Sequence, residues 1–178
     1  MDARLIWVND VRGGYMNWQV DMLEQSMTKL APLGEKVAAR FYEALFEEYP
    51  SLRPLFQGVS MKDQHNKLWS ALAFTVQGFR NPEQLSKTLL ELGLKHKTYG
   101  VCPEDYHAVR VTLLKILKEF LGENWSGQMH LAWSHALDEV SGTMLQGAAQ
   151  TPTTKAFYLK ENQNDPFNER PHQLGLKI

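Results

Sequence analysis

Apolar residues recur at steps of three and four from about residue 18 to residue 148, and strand-like alternation is scarce. One stripe joins Tyr106, Val109, Leu113, Leu117 and Phe120; a later one joins Met129, Trp133, Ala136, Val140 and Met144. Each is one face of an amphipathic helix, which must be buried against another element. The pattern predicts helices near 18–33, 34–49, 62–80, 82–97, 103–121 and 126–147, with a short turn near 50–56 holding Pro50 and Pro54. Asn81-Pro82-Glu83 and Pro103-Glu104-Asp105 read as helix starts. Asn81 is the expected cap, the prolines fit the first turn, and the carboxylates suit the positive end of the helix dipole. Gly58, Gly93, Gly100 and Gly122 read as interruptions or ends. Several helices with short connections and no internal repeat imply an all-α domain, packed helix on helix.

The two ends lack this order. Residues 1–17 contain Gly13-Gly14 and no sustained period, so they read as an N-terminal extension to a domain spanning 18–150. Residues 151–178 contain Pro152, Pro166 and Pro171 among many Asn and Gln, and read as a tail that is partly disordered or docking. Phe157, Tyr158 and Leu159 are its apolar cluster for docking, on the domain or on a second subunit, which leaves a homodimer open.

Composition narrows the function classes. The 178 residues suffice for one domain with a substantial core, and a formal net charge of −1 gives no electrostatic case for nucleic acid or an anionic membrane. The single cysteine, Cys102, excludes an intramolecular disulfide and a cysteine-rich metal site, and suits a reducing cytoplasm. Met1 to Gly14 has no apolar run of signal-peptide length, and no stretch approaches the roughly 20 apolar residues of a membrane helix. A cytoplasmic protein is expected.

Candidate chemistry begins at His96. Leu85, Leu89, Leu92 and His96 follow at steps of four, three and four, so the imidazole lies on the apolar face of its helix. A polar ring there is costly unless its nitrogens find partners: a hydrogen bond in the core, or a metal. Upstream, Gln64, Leu68, Leu72, Thr75 and Phe79 share a face that starts polar and turns mostly apolar. Tyr42 sits in an aromatic helix with Phe41 and Phe46, and Phe56 ends the turn Leu52-Arg53-Pro54-Leu55-Phe56.

The order of these pieces resembles the bacterial single-domain hemoglobins and the globin domain of flavohemoglobins. Phe41-Tyr42-x2-Leu45-Phe46, Pro50 and Arg53-Pro54-Leu55-Phe56 look like their B-to-CD region. Gln64-x2-Lys67-Leu68 with Val76-Gln77-Gly78 looks like their distal helix. Leu92-Gly93-x2-His96-Lys97-x-Tyr99-Gly100-Val101 looks like their proximal helix and its exit, also similar to neuroglobin. Tyr106 and Ala132-Trp133 match the last two helices, so the resemblance covers about residues 20–148.

The resemblance implies a globin fold around heme b, with His96 as the proximal iron ligand. It places Phe56 against the heme plane, Leu68 and Val101 on the porphyrin faces, Lys67 near a propionate, and Tyr106 on the proximal side. Tyr42 and Gln64, with Leu68, would line the distal pocket. His65 is expected to point about a hundred degrees away from Gln64; a one-residue slip in register would exchange the two. The remaining histidines, His107, His130, His135 and His172, read as surface, partly buried or tail residues.

Function then follows as an expectation: reversible binding of O2, and of CO and NO, with nitric oxide dioxygenation or weak peroxidase activity alongside. Hydrogen bonds to a charged acceptor contribute about 1.5–3 kcal/mol, so Tyr42 and Gln64 imply slow oxygen release. At this length the chain has no room for flavin and nicotinamide domains, which implies a separate reductase. A heme-based gas sensor and a non-heme helical binding module are the alternatives. One departure is visible: counting from Trp133, the proximal glutamate of flavohemoglobins falls on Ala148, and Glu139 lies more than two turns earlier.

Overall fold

A computed structural model describes residues 11–12 and 15–150. Val11–Arg12 (β1) pairs antiparallel with Tyr15–Met16 (β2), a two-residue ladder that the sequence period did not signal. Six α-helices follow among the described residues: α1 (Asn17–Leu30), α2 (Gly34–Glu48), α3 (Met61–Gly78), α4 (Pro82–Thr98), α5 (Pro103–Leu121) and α6 (Gly127–Ala149). Short 3-10 turns occupy Ala31–Leu33, Pro50–Phe56 and Gly122–Asn124. The expected all-α architecture is therefore present, with the first helix cut short at Pro32, whose ring cannot continue the α pattern. Among the described residues no helix is long and apolar enough to cross a membrane. The readings of residues 1–10 and of the 151–178 tail lie outside the described residues.

Helix ends are set by local chemistry. Ser60 caps α3 by accepting from the Asp63 N–H at 3.3 Å, and Ser126 caps α6 by accepting from the Met129 N–H at 3.1 Å. At α5 the Asp105 carboxylate accepts from the Cys102 N–H at 2.8 Å, which ties down the helix start. Asn81 occupies the cap position of α4 but makes no side-chain capping bond, unlike the expectation; Pro82 and the Glu83 carboxylate in the first turn favour the start there. Gly58, Gly100 and Gly122 have positive φ and close their elements.

Gly93 corrects the sequence reading. It lies inside α4, not at an end, and a Cβ built there would run into the Met144 carbonyl of α6. Gly147 of α6 is its counterpart, where a Cβ would meet the Leu90 carbonyl of α4. Two glycines thus let the backbones of α4 and α6 touch. The core between the helices is built on Phe41, Leu23, Leu30, Ile116, Leu117 and Trp133, all at 2% exposure or less. Trp133 Nε1 donates to Ser26 Oγ at 3.0 Å, and Ser26 in turn donates to the Leu23 carbonyl at 2.7 Å, so α6 is keyed to α1 with no polar atom of that pair orphaned.

Candidate functional site

The site is built from α2, the Pro50–Phe56 turn, α3, the last turn of α4 and the start of α5. His96 sits in that last turn, half-buried. Its Nδ1 lies 2.9 Å from the Leu92 carbonyl. A carbonyl only accepts, so Nδ1 carries the proton and Nε2 keeps its lone pair. Burial lowers the His96 pKa, against the smaller opposing effect of the Leu92 bond, so the ring is held neutral. An apolar-faced histidine with one nitrogen anchored and the other bearing a free pair is the form in which imidazole ligates a metal.

Around His96 lie Tyr99 and Tyr106, with ring centroids 6.2 and 6.3 Å away. The buried Tyr106 hydroxyl has no hydrogen-bond partner among the described residues. Burial, and after it the charge of Asp105, raises the Tyr106 pKa. The Val101 N–H donates to the His96 carbonyl at 3.1 Å, which folds the exit of α4 back on its last turn. Ala148 is half-buried and Glu139 exposed, so neither brings a carboxylate to Tyr106.

Tyr42 projects from α2 and is 7% exposed. Burial raises its pKa well above the ordinary phenol value, so the hydroxyl stays a donor. Its ring meets Phe41 edge-on at 5.0 Å and Phe56 at 5.4 Å. Phe56 ends the 3-10 turn and is half-buried. His65 stacks on Tyr42 at 5.7 Å and 26°.

On α3 the structure brings His65, and not Gln64, to Tyr42. His65 and Trp69 lie on the face toward α2, where Trp69 covers Gly34 so closely that a Cβ there would clash. Gln64, Lys67 and Leu68 are half-buried on the neighbouring face, about a hundred degrees round the helix. A cavity of about 330 Å³ opens beside Tyr42, lined also by Phe46, Arg53, Phe56, Met61 and His65. Periodicity singled out neither Arg53 nor Met61 for this cavity; the only hint was that each flanks an aromatic residue or a helix start.

These residues fit a heme. His96 offers Nε2, and Leu68, Val101 and Phe56 supply half-buried apolar surface on the elements around it.

Comparison with known proteins gives an independent line. The Globin family model matches residues 39–144. A flavohemoprotein of Rhizobium meliloti (strain 1021) is 30% identical over 118 residues, covering 65% of this chain but 29% of that protein. The chain thus spans less than a third of that relative. An uncharacterized globin-like protein of Aquifex aeolicus (strain VF5) is 29% identical over 126 residues, 71% of this chain and 88% of that one. Among solved structures, an engineered carbene transferase derived from a candidate nitric oxide dioxygenase of Rhodothermus marinus superposes with a TM-score of 0.67 at 28% identity, covering 74% of this chain and 92% of that one. A bacterial globin of Campylobacter jejuni does so at 0.65 and 22%, covering 82% and 100%, which bears on the fold alone.

Proposed function

The chain belongs to the globin family, and from that premise we propose that it holds heme b through His96 and binds dioxygen on the Tyr42 side. Nitric oxide dioxygenation is the accompanying reaction, fed by a reductase. The observation that carries the reading is the state of His96: neutral, with Nδ1 committed to Leu92 and Nε2 left to coordinate. Flavohemoproteins recur among the relatives, and the R. marinus protein is a candidate for the same reaction, which supports the choice.

A heme bound here supplies an iron that binds diatomic gases and passes electrons to them. The protein does the rest. Leu92 orients the imidazole through its carbonyl, and Val101 and Leu68 exclude water from the porphyrin faces. Tyr42, protonated throughout the neutral range, donates its O–H to a ligand atom carrying partial negative charge. Gln64 is assigned as the second donor, with His65 its alternative. Lys67 is assigned to a propionate; no described acidic side chain pairs with it. Cytoplasmic residence belongs to the same proposal.

The test is ligand release from the ferrous protein. Tyr42→Phe is expected to speed oxygen dissociation by roughly tenfold or more, as loss of a hydrogen bond to a charged acceptor requires, and to change carbon monoxide release much less. Oxygen dissociation unchanged in Tyr42→Phe would remove this side of the molecule from the ligand site.

A further inference from the structure

Tyr99 joins two properties. It lies against His96, with ring centroids 6.2 Å apart at 52°, inside the range of packed rings. It is also 46% exposed, one of two large apolar side chains open to this degree among the described residues; the other, Leu131, belongs to α6. Tyr106 lies about as near to His96, but its hydroxyl is buried. Tyr42 is buried and Tyr49 half-buried.

Backbone holds this proximity. The Tyr99 N–H donates to the Lys95 and His96 carbonyls at 3.2 and 3.1 Å, which closes α4. Gly100 turns the chain at a φ of 83°, and the Val101 N–H returns to the His96 carbonyl at 3.1 Å. The phenol is thus fixed beside the imidazole while part of it meets water. A phenol oxidised by one electron must also shed its O–H proton. Exposure supplies water to take that proton at Tyr99, and burial withholds it at Tyr42 and Tyr106. Exposure also lets one Tyr99 ring meet the same ring of another molecule. Cys102, three residues on, is an exposed thiol and a second oxidisable group, but its coupled product is a disulfide, which thiols reverse.

We propose that Tyr99 is an oxidation site through which hydrogen peroxide, acting on the heme-loaded protein, joins two copies of this chain by a dityrosine bond. The inference rests on the reading that His96 holds heme, since the His96–Tyr99 contact is the route by which the phenol is oxidised. Two Tyr99 phenols each give up one electron and one proton. One hydrogen peroxide accepts both pairs, its O–O bond breaks, and it leaves as two waters. The two phenoxyl rings then form one carbon–carbon bond between the copies. Tyr99 is an outlet for oxidising equivalents, on the face of the molecule that carries the end of α4.

The test adds equimolar hydrogen peroxide to the heme-loaded full chain, its Soret band recorded beforehand, and resolves the products on a denaturing gel with a thiol reductant present. A covalent dimer with dityrosine fluorescence is expected, with fragment ions placing the link on Tyr99 and not on Tyr106. Tyr99→Phe is expected to keep the parent Soret band and oxygen release rate and to lose the dimer. The heme-free chain is expected to form none. The inference is overturned if protein with a normal Soret band gives no thiol-resistant dimer, if the dimer survives Tyr99→Phe, if the link maps to another tyrosine, or if the heme-free chain dimerises equally. A chain with no Soret band at all would overturn the heme reading, and this inference with it.

Discussion

Tyr42 illustrates how a single side chain takes its chemistry from its surroundings. The folded state holds its pKa above the unfolded value of about 10, because burial opposes the phenolate. The sign follows by linkage. Below pH 10 both states are protonated and the contribution is complete. Above it the unfolded chain loses the proton first, so stability falls as pH rises toward the folded pKa. Tyr42→Phe is therefore expected to flatten the loss of stability above about pH 10, read as the urea midpoint against pH. An unchanged slope would mean that the phenol is not desolvated. At this scale the sequence was informative about residue type but not about neighbours. His96 stood out as an imidazole on an apolar helix face, whereas Tyr42, Phe56 and Tyr106 were singled out by the resemblance that the order of motifs carries. The stacking of His65 on Tyr42 was not, since one helix's period says nothing about its crossing with the next. Separating the two distal assignments needs both variants: Gln64→Leu is expected to speed oxygen release directly, whereas His65→Ala is expected to act by loosening Tyr42. A low-spin bis-histidine spectrum lost in His65→Ala would exchange the roles.

Among the elements, α4 carries the most consequence, because it presents His96 and leans on α6 through bare backbone. Gly93→Ala and Gly147→Ala each put a methyl group into a carbonyl of the facing helix. Overpacking costs about 1–3 kcal/mol, and here the obstacle is backbone that cannot rotate aside. Either variant is expected to lower the thermal midpoint by several degrees, roughly 2–4 °C per kcal/mol for a domain of this size. Each should also weaken heme retention by shifting α4; thermal melts with and without heme separate the two effects. A Gly93→Ala midpoint equal to the parent's would show that α4 and α6 stand further apart. The helices themselves were readable from their stripes to within a few residues. Gly93 was misread as a break because a glycine required by a facing helix looks the same in sequence as one required by a turn. The 3-10 turn ahead of α2 was merged into the first helix for a related reason: Leu30 and Leu33 keep the apolar step across Pro32.

For the molecule as a whole, fold and family were legible because the order of motifs is a stronger signal than any one of them, and an all-α fold is written in local periods. What the proximal side does is a matter of what is missing there. The Tyr106 hydroxyl is buried without a described partner, and the count from Trp133 puts Ala148 at the position the resemblance gives to a glutamate. A histidine whose proton goes to a backbone carbonyl is less basic than one paired with a carboxylate. The iron–histidine stretch in resonance Raman is thus expected in the low, neutral-imidazole range; a high-frequency, peroxidase-like band would require a carboxylate partner. Nitric oxide consumption should be stoichiometric with ferrous protein alone and catalytic only when a reductase is added. All of this presumes that His96 holds the iron, and His96→Gly examines that directly. The absorption spectrum of the heme-loaded variant is expected to lose the five-coordinate histidine form and to regain it on addition of imidazole, which fills the space left by the ring. A His96→Gly protein that keeps the parent spectrum without imidazole would contradict the assignment.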